Sequence, residues 1–505
     1  MDQIKIGWGR REISTNDPVS IPGQMHIRVS EGIHDPLYVT ALCVDGGEEQ
    51  VIFLSCDIVT CFKDIIRGVE EAVSARRPEI PVETIVINVT HTHSSVSLTE
   101  TPEKTPDGVE IFPGLKTREF FMKQAAEAII EAWDSRSEGG IAYGYGYAVV
   151  GHSRRVVYFK EEKLASNKRD FMTPNGYAVM YGKTNDPLFS HYEAGADHFL
   201  NVLFTFDKNE KLTGVVVNVP CPSQTSGQFM KLSADYWHEV RQMMAEVFGP
   251  DVFVLPQCAA AGDIAPVTQH YSRAEQRRMA LKHGLVYDIK SIRPPNEHYY
   301  NRAIAQRLDI GERIVEGVKE IYSWAKKDIK THIPVRHRIA VMPLERRKIT
   351  EEEKQWCEEN LELLKDMAPK AEELPPERFR FEMSRHNSRI NRNKRGLARY
   401  EEVKQEPTID VPAHIVQIGD VAFATNRCEL FIDFMHRLQA RSPFIQTFVI
   451  QMAGAEHASY LPTERAVEAN GYSASMFCNV FSPNAGQQWV ETTLEILNTM
   501  KTEEE

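Results

Sequence analysis

Short β-branched runs bounded by turn residues recur along the chain. They are Gln50-Val51-Ile52-Phe53-Leu54-Ser55, Thr84-Ile85-Val86-Ile87-Asn88-Val89, Gly214-Val215-Val216-Val217-Asn218-Val219, Val252-Phe253-Val254-Leu255, Val421-Ala422-Phe423-Ala424 and Phe448-Val449-Ile450. Continuous apolar runs of this length predict strands buried on both faces. Helical stripes lie between them. Residues 118–133 carry Phe120, Phe121, Ala125, Ala128, Ile129 and Trp133 at helical spacing, and 235–248 and 300–325 read the same way. The alternation predicts an α/β fold, a mixed and largely buried sheet with flanking helices. Two stretches break the rhythm. Residues 268–340 read as mostly helical. Residues 344–408 are densely charged, from Glu345-Arg346-Arg347 through a helix-like 351–366 to Arg385-His386-Asn387-Ser388-Arg389-Ile390-Asn391-Arg392-Asn393-Lys394-Arg395. This predicts a peripheral, charged helical insertion over 268–408 and one core unit built from 1–267 and 409–505. The basic run reads as a solvated or salt-bridged surface.

The balance of 59 Lys and Arg against 71 Asp and Glu leaves a formal charge of −12 over 505 residues. That argues against nucleic acid or an anionic membrane surface as the main partner. Eight cysteines occur with no CxxC pair, which excludes a zinc knuckle and reads as reduced thiols in a cytoplasmic protein. The N-terminus is charged from the start, and no run of about 18 apolar residues predicts a transmembrane segment.

Candidate chemistry collects just after the predicted strands. Cys56-Asp57, Thr90-His91-Thr92-His93-Ser94-Ser95, Pro220-Cys221-Pro222-Ser223-Gln224, Gln257 to Asp263, Asn426-Arg427-Cys428-Glu429 and Ala455 to Tyr460 all follow such runs. In open α/β sheets ligands bind outside the carboxyl ends of strands. Each piece is weak alone: 17 His in 505 residues give about 0.6 His-x-His pairs by chance. In an extended segment His91 and His93 would share one face. Glu429, set beside Leu430-Phe431-Ile432, needs a cation or metal as partner. Cys221 alone reads as an inert thiol, Tyr460 as a core tyrosine, and Asp57 and Asp263 as turn or cap residues.

Together these segments resemble the neutral, non-lysosomal ceramidase family. The resemblance rests on Ile6-Gly7-Trp8-Gly9-Arg10-Arg11-Glu12-Ile13, on Gly32-Ile33-His34 followed by Ala41 and Asp45, and on Thr90-His91-Thr92-His93-Ser94, its most specific piece. Arg155, Ser233-Ala234-Asp235, Glu429 and Ala458-Ser459-Tyr460 extend it. It implies that 1–267 and 409–505 are a ceramidase-like catalytic domain with a zinc site. His91, Glu429 and Tyr460 would be ligands, with Cys221 where the family has a second metal histidine. His93 and Arg155 would hydrogen-bond substrate or the developing oxyanion, with His457 as a replacement ligand or base. His34, Asp57 and Asp263 are the candidate substrate contacts. The chain departs from the family at Ala265, where a serine is expected, and at Ser95-Val96-Ser97, where a glycine-rich turn is expected. It also ends where the family's catalytic domain ends and shows no secretory leader. These departures argue against ceramide hydrolysis at a membrane.

Three readings follow. The first is a zinc-dependent hydrolase of a linear amide or related acyl bond in a soluble small-molecule substrate, acting through metal-activated water with no serine. The second is a non-catalytic protein that binds a metal or small ligand. The third makes Cys221 a covalent nucleophile with a His partner and no metal. Zinc is the cofactor of the first, and oligomeric state is left open.

Overall fold

The computed structural model describes residues 3–166, 171, 173–174, 176–285, 296–454 and 459–503. Each apolar run named above forms a strand. Eight strands make one mixed sheet in the order Phe253–Cys258, Leu212–Val219, Phe199–Asp207, Ser137–Tyr147, Lys5–Glu12, Tyr38–Asp45, Gln50–Cys56 and Ile85–Val89. The outermost pair at each end is parallel, and the pairs between are antiparallel. A second sheet runs Val335–Glu345, Thr408–Ile418, Val421–Thr425 and Gln446–Ile450, and its last pair is also parallel.

The two sheets stack face to face. Leu42, Phe53, Val86, Val216 and Leu255 meet Val416, Phe423, Phe448 and Ile450 in one apolar core. Helices close the outer faces. Lys63–Ser74 and Gly114–Asp134 cover half of the large sheet, and Tyr236–Phe248 and Asn296–Ala325 cover the rest. Ile432–Arg441 and Pro483–Thr502 cover the small sheet. Strands buried on both sides must be apolar on both faces, which is why their sequences run without alternation.

Residues 268–408 hold the helices Ser272–His283, Asn296–Ala325, Glu351–Lys365 and Pro376–Gln405. They also supply Val335–Glu345, which pairs along its full length with Thr408–Ile418. That strand is half-buried and carries Arg336, His337 and Arg338, so it lacks the apolar signature of the inner strands. Among the described residues no helix is long and apolar enough to cross a membrane.

A buried ion cluster ties Asn296–Ala325 to the body. Arg307, fully buried, donates to Asp35 at 2.8 Å, to Ser233 Oγ at 2.9 Å and to Glu239 at 3.0 Å. Asp35 also accepts from the Ala234 N–H and the Ser233 hydroxyl, each at 2.6 Å. Removing one member strands the other charges away from water. Arg307→Met is therefore expected to lower the unfolding free energy by about 3–5 kcal/mol in urea titrations. A loss below about 1 kcal/mol would show that the cluster is not desolvated.

Candidate active site

The segments that follow the parallel strands converge at one end of the sandwich. Past Ile85–Val89 the chain does not stay extended: it turns at His91, which holds φ +60. A positive φ at a non-glycine residue stores strain that its surroundings must hold. Here Thr92 donates to the Ser233 carbonyl at 2.8 Å and Ser94 to the Ser226 carbonyl at 2.9 Å. Ser223 donates to the Thr90 carbonyl at 2.8 Å. The small polar residues thus stitch the turn to 223–233, and the two imidazoles meet edge to face with centroids 4.9 Å apart.

Their hydrogens are placed by the backbone. His91 Nδ1 lies 2.7 Å from the Val59 carbonyl, which only accepts, so Nδ1 carries a proton and Nε2 faces inward. His93 likewise donates to the Gly23 backbone. A Cβ at Gly23, which holds φ +93, would fall 2.7 Å from the His93 ring, so this approach requires glycine. The Gln224 amide nitrogen sits 2.9 Å from His93 Nε2, while Arg154 and Tyr181 engage Gln224 Oε1. His93 Nε2 is therefore also an acceptor. The two Nε2 atoms are 3.3 Å apart, and His91 Nε2 is 3.6 Å from Glu429 Oε2. These three atoms sit around one space, with the Gln224 amide on His93 and the Arg154 guanidinium on Glu429.

Arg154 closes the cluster. Its Nη2 lies 3.4 Å from Glu429 Oε2, 3.3 Å from the Tyr460 hydroxyl and 2.9 Å from the Gly262 carbonyl. Gly262 is required there, because a Cβ would fall 2.4 Å from the Glu429 carbonyl oxygen. Burial alone would lower the Arg154 pKa, but the Tyr460 and Tyr181 hydroxyls and Glu429 outweigh it and hold the guanidinium charged. Burial, helped by His91, Arg28 and Arg154, pushes His93 well below the usual imidazole range, so it is neutral. Burial and then Glu429 push the Tyr460 hydroxyl well up. Among the described residues no group of three or more His, Cys, Asp or Glu is arranged to hold a metal as it stands.

This architecture is similar to that of neutral ceramidase from Pseudomonas aeruginosa, with a TM-score of 0.64 and 15% identity over 99% of this chain and 75% of that one. It is likewise similar to a ceramidase complexed with C2, with a TM-score of 0.63 and 13% identity over 100% of this chain and 76% of that one. The fold is that of a neutral ceramidase. No family model matches the chain, and no curated protein matches it.

Within the ceramidase fold, His91, His93, Glu429 and Tyr460 are brought together as expected from their places after strands. Glu429–Leu430 and Tyr460–Leu461 pair as short parallel strands, which sets the last two side by side. Arg155 is turned away. It donates to Glu193 at 2.6 and 2.9 Å, to Ser473 Oγ at 3.1 Å and to the Asn470 carbonyl at 2.8 Å, while its neighbour Arg154 faces the cluster. Successive residues of an extended chain point oppositely, so one step in register exchanges them. Cys221 Sγ contacts the Pro222 carbonyl at 3.6 Å, and burial pushes its thiol well up, followed by Cys258 and Asp235. All eight cysteines are free and buried. His34 meets the Tyr300 hydroxyl at 2.6 Å, and Asp57 is held by Arg241 at 2.7 and 3.1 Å. His457 lies outside the described residues. Arg154, Gln224 and Tyr181 were not foreseen. Gln224 stood in a strand-end segment and Arg154 beside the expected arginine, but Tyr181 carried no signal.

Asp263 is fully buried, accepts from the Ile432 N–H at 3.1 Å, and is pushed up to about 7 by burial. The folded protein therefore prefers the neutral acid. The cost of ionising it is absent below about pH 4 and grows as pH rises to about 7. Subtracting the stability of Asp263→Asn from that of wild type, by urea titration from pH 4 to 8, is expected to give a difference that falls across this window. A flat difference would show that Asp263 titrates normally.

Proposed function

We propose that this protein is a zinc-dependent hydrolase of an amide or related acyl bond in a soluble small-molecule substrate. One observation carries the reading: His91 Nε2, His93 Nε2 and Glu429 Oε2 surround one space beside a buried guanidinium. A buried carboxylate and imidazole set this close call for a cation or a shared proton between them. Imidazole, carboxylate and phenol oxygen are donors that zinc accepts, and the Val59 carbonyl behind His91 is the usual second partner of a metal imidazole. His91, Glu429 and Tyr460 would hold the ion. Zinc supplies Lewis acidity toward an acyl carbonyl and a water ionised near pH 7.

The chain's own residues do the rest. His93, neutral and anchored by Gly23 and Gln224, would accept a substrate N–H or a water proton at Nε2 in place of the Gln224 amide. Arg154 takes the role expected of Arg155, a fixed cation where negative charge grows on the acyl oxygen. Arg155, saturated by Glu193 and the 466–473 segment, positions that strand. The eight free thiols fit a reducing, cytoplasmic setting. The observation favouring a non-catalytic binder is Ala265, buried in a short pairing with His152 and without a hydroxyl to offer.

Metal analysis of purified protein after zinc loading and dialysis is expected to find near-stoichiometric zinc in wild type and little in His91→Ala or Glu429→Gln. Near-zero zinc in all three would end the proposal. In a panel of acyl amides and esters, Arg154→Met is expected to lower kcat about 10²-fold or more with zinc retained. Zinc without turnover on any substrate would select the binder.

A further inference from the structure

The helix Pro376–Gln405 carries the basic run, and its arginines divide into two sets. Arg378 pairs with Glu382 at 2.5 Å and Arg380 with Asp107 at 3.1 Å. Arg385, Arg389 and Arg392 have no carboxylate partner among the described residues. They are spaced i, i+4, i+7 and so share one helical face. Each lies against a ring or a neutral acceptor. Arg385 sits 5.4 Å over Phe381, whose ring packs on His26, and Arg389 sits 5.9 Å over Phe171 with a buried, unpartnered Nε. Arg392 donates to the Tyr472 hydroxyl at 2.8 Å and to Cys478 Sγ at 3.5 Å.

This face borders the candidate site at both ends. At Arg385 it meets the 22–28 loop, where Gly23 packs on His93 and Arg28 donates to the His93 carbonyl. At Arg392 it meets Tyr472, whose ring lies 6.2 Å from that of Tyr460. Three guanidinium groups with no carboxylate partner among the described residues, beside the candidate site, are open to an anion from outside the chain. Guanidinium forks match carboxylate and phosphate oxygens in paired hydrogen bonds. Stacking on rings holds the planes in place without using their N–H edges.

We infer that Arg385, Arg389 and Arg392 form an anion-binding rim that takes a carboxylate or phosphate on the substrate's amine side. This rests on the hydrolase reading for its placement, because the anion is carried by the molecule whose acyl bond reaches the His91 cluster. The substrate class is then an N-acyl amino acid or an N-acyl amine bearing a phosphate, rather than a neutral N-acyl amino alcohol.

The test compares N-acylglycine with its neutral isostere N-acylglycinamide, at acetyl, octanoyl and dodecanoyl lengths, and with O-phospho-N-acylethanolamine. Wild type is expected to favour an anionic member over the neutral one by at least about 10-fold in kcat/KM, mostly through KM, and added salt is expected to shrink the ratio. Arg389→Gln and Arg392→Gln are each expected to collapse that ratio toward one, with Arg389→Lys recovering part of it and Arg378→Gln leaving it intact. Equal kcat/KM for anionic and neutral members, or a ratio unmoved by either glutamine variant, would overturn the rim. If no member is turned over, the hydrolase reading is what fails. Thermal melts with inorganic phosphate and with N-acetylglycine then decide the rim by themselves. Stabilisation of wild type by several degrees that is lost in both glutamine variants supports it, and no stabilisation overturns it.

Discussion

The two hydrogen bonds from imidazole to backbone carbonyl at Val59 and Gly23 set the character of the site. Each fixes a proton on the far side of a ring and turns the other nitrogen, Nε2, inward. With Glu429 3.6 Å from His91 and the Arg154 guanidinium 3.4 Å from Glu429, the folded chain sets these acceptors beside one buried cation. The array persists because the fold over-determines it. Arg28 is almost wholly buried and donates to the carbonyls of Pro22, Gly227, Phe229 and His93, so the loop that supplies Gly23 cannot drift from the ring that it holds. The strain at His91 is met by the bond to the Thr90 carbonyl before it and the Thr92 and Ser94 bonds after it.

The sandwich brings the partners of that array from opposite ends of the chain. His91 follows a strand of the large sheet, and Glu429 follows a strand of the small one. The joint between the sheets beneath them is polar. Gln451 Oε1 accepts from the Ala261 and Leu430 N–H groups, and Asn218 donates to the Val449 carbonyl. Buried amides in this number are tolerated because each bond spans two elements and fixes their relative height. The acceptor array therefore depends on sheet-to-sheet register, and a shift of either sheet would separate Glu429 from His91.

Much of this could be read in advance, for a physical reason. Strands buried on both faces must be continuous apolar runs, and function at their carboxyl ends follows from topology, so His91, His93, Glu429 and Tyr460 stood out. What could not be read depends on orientation. The choice between Arg154 and Arg155 turns on one residue of register between the bridge at His152–Ser153 and the strand Arg155–Tyr158. Val335–Glu345 escaped notice because its pairing with Thr408–Ile418 is half-exposed and its outward residues are charged. Asp57 had the look of a ligand contact, yet its partner, Arg241, lies on a helix 184 residues away. No local pattern announces a pairing of that separation.

The loss of a hydroxyl at Ala265 bears on which chemistry the remaining groups can support. A serine at that place would sit in the short pairing with His152, beside the segment whose Gly262 carbonyl receives Arg154. On the proposed hydrolase reading, the nucleophile would then come from solvent, and the positive groups would serve orientation as well as charge. Arg154 is held by five neighbours and has little freedom left to reorient. A preorganised cation of this kind stabilises a developing oxyanion without reorganisation cost, which water cannot do. On the proposed hydrolase reading, the site would keep the electrostatic part of an acyl-transfer centre without that hydroxyl, and water attack on an acyl carbon is the reaction class that would tolerate the exchange.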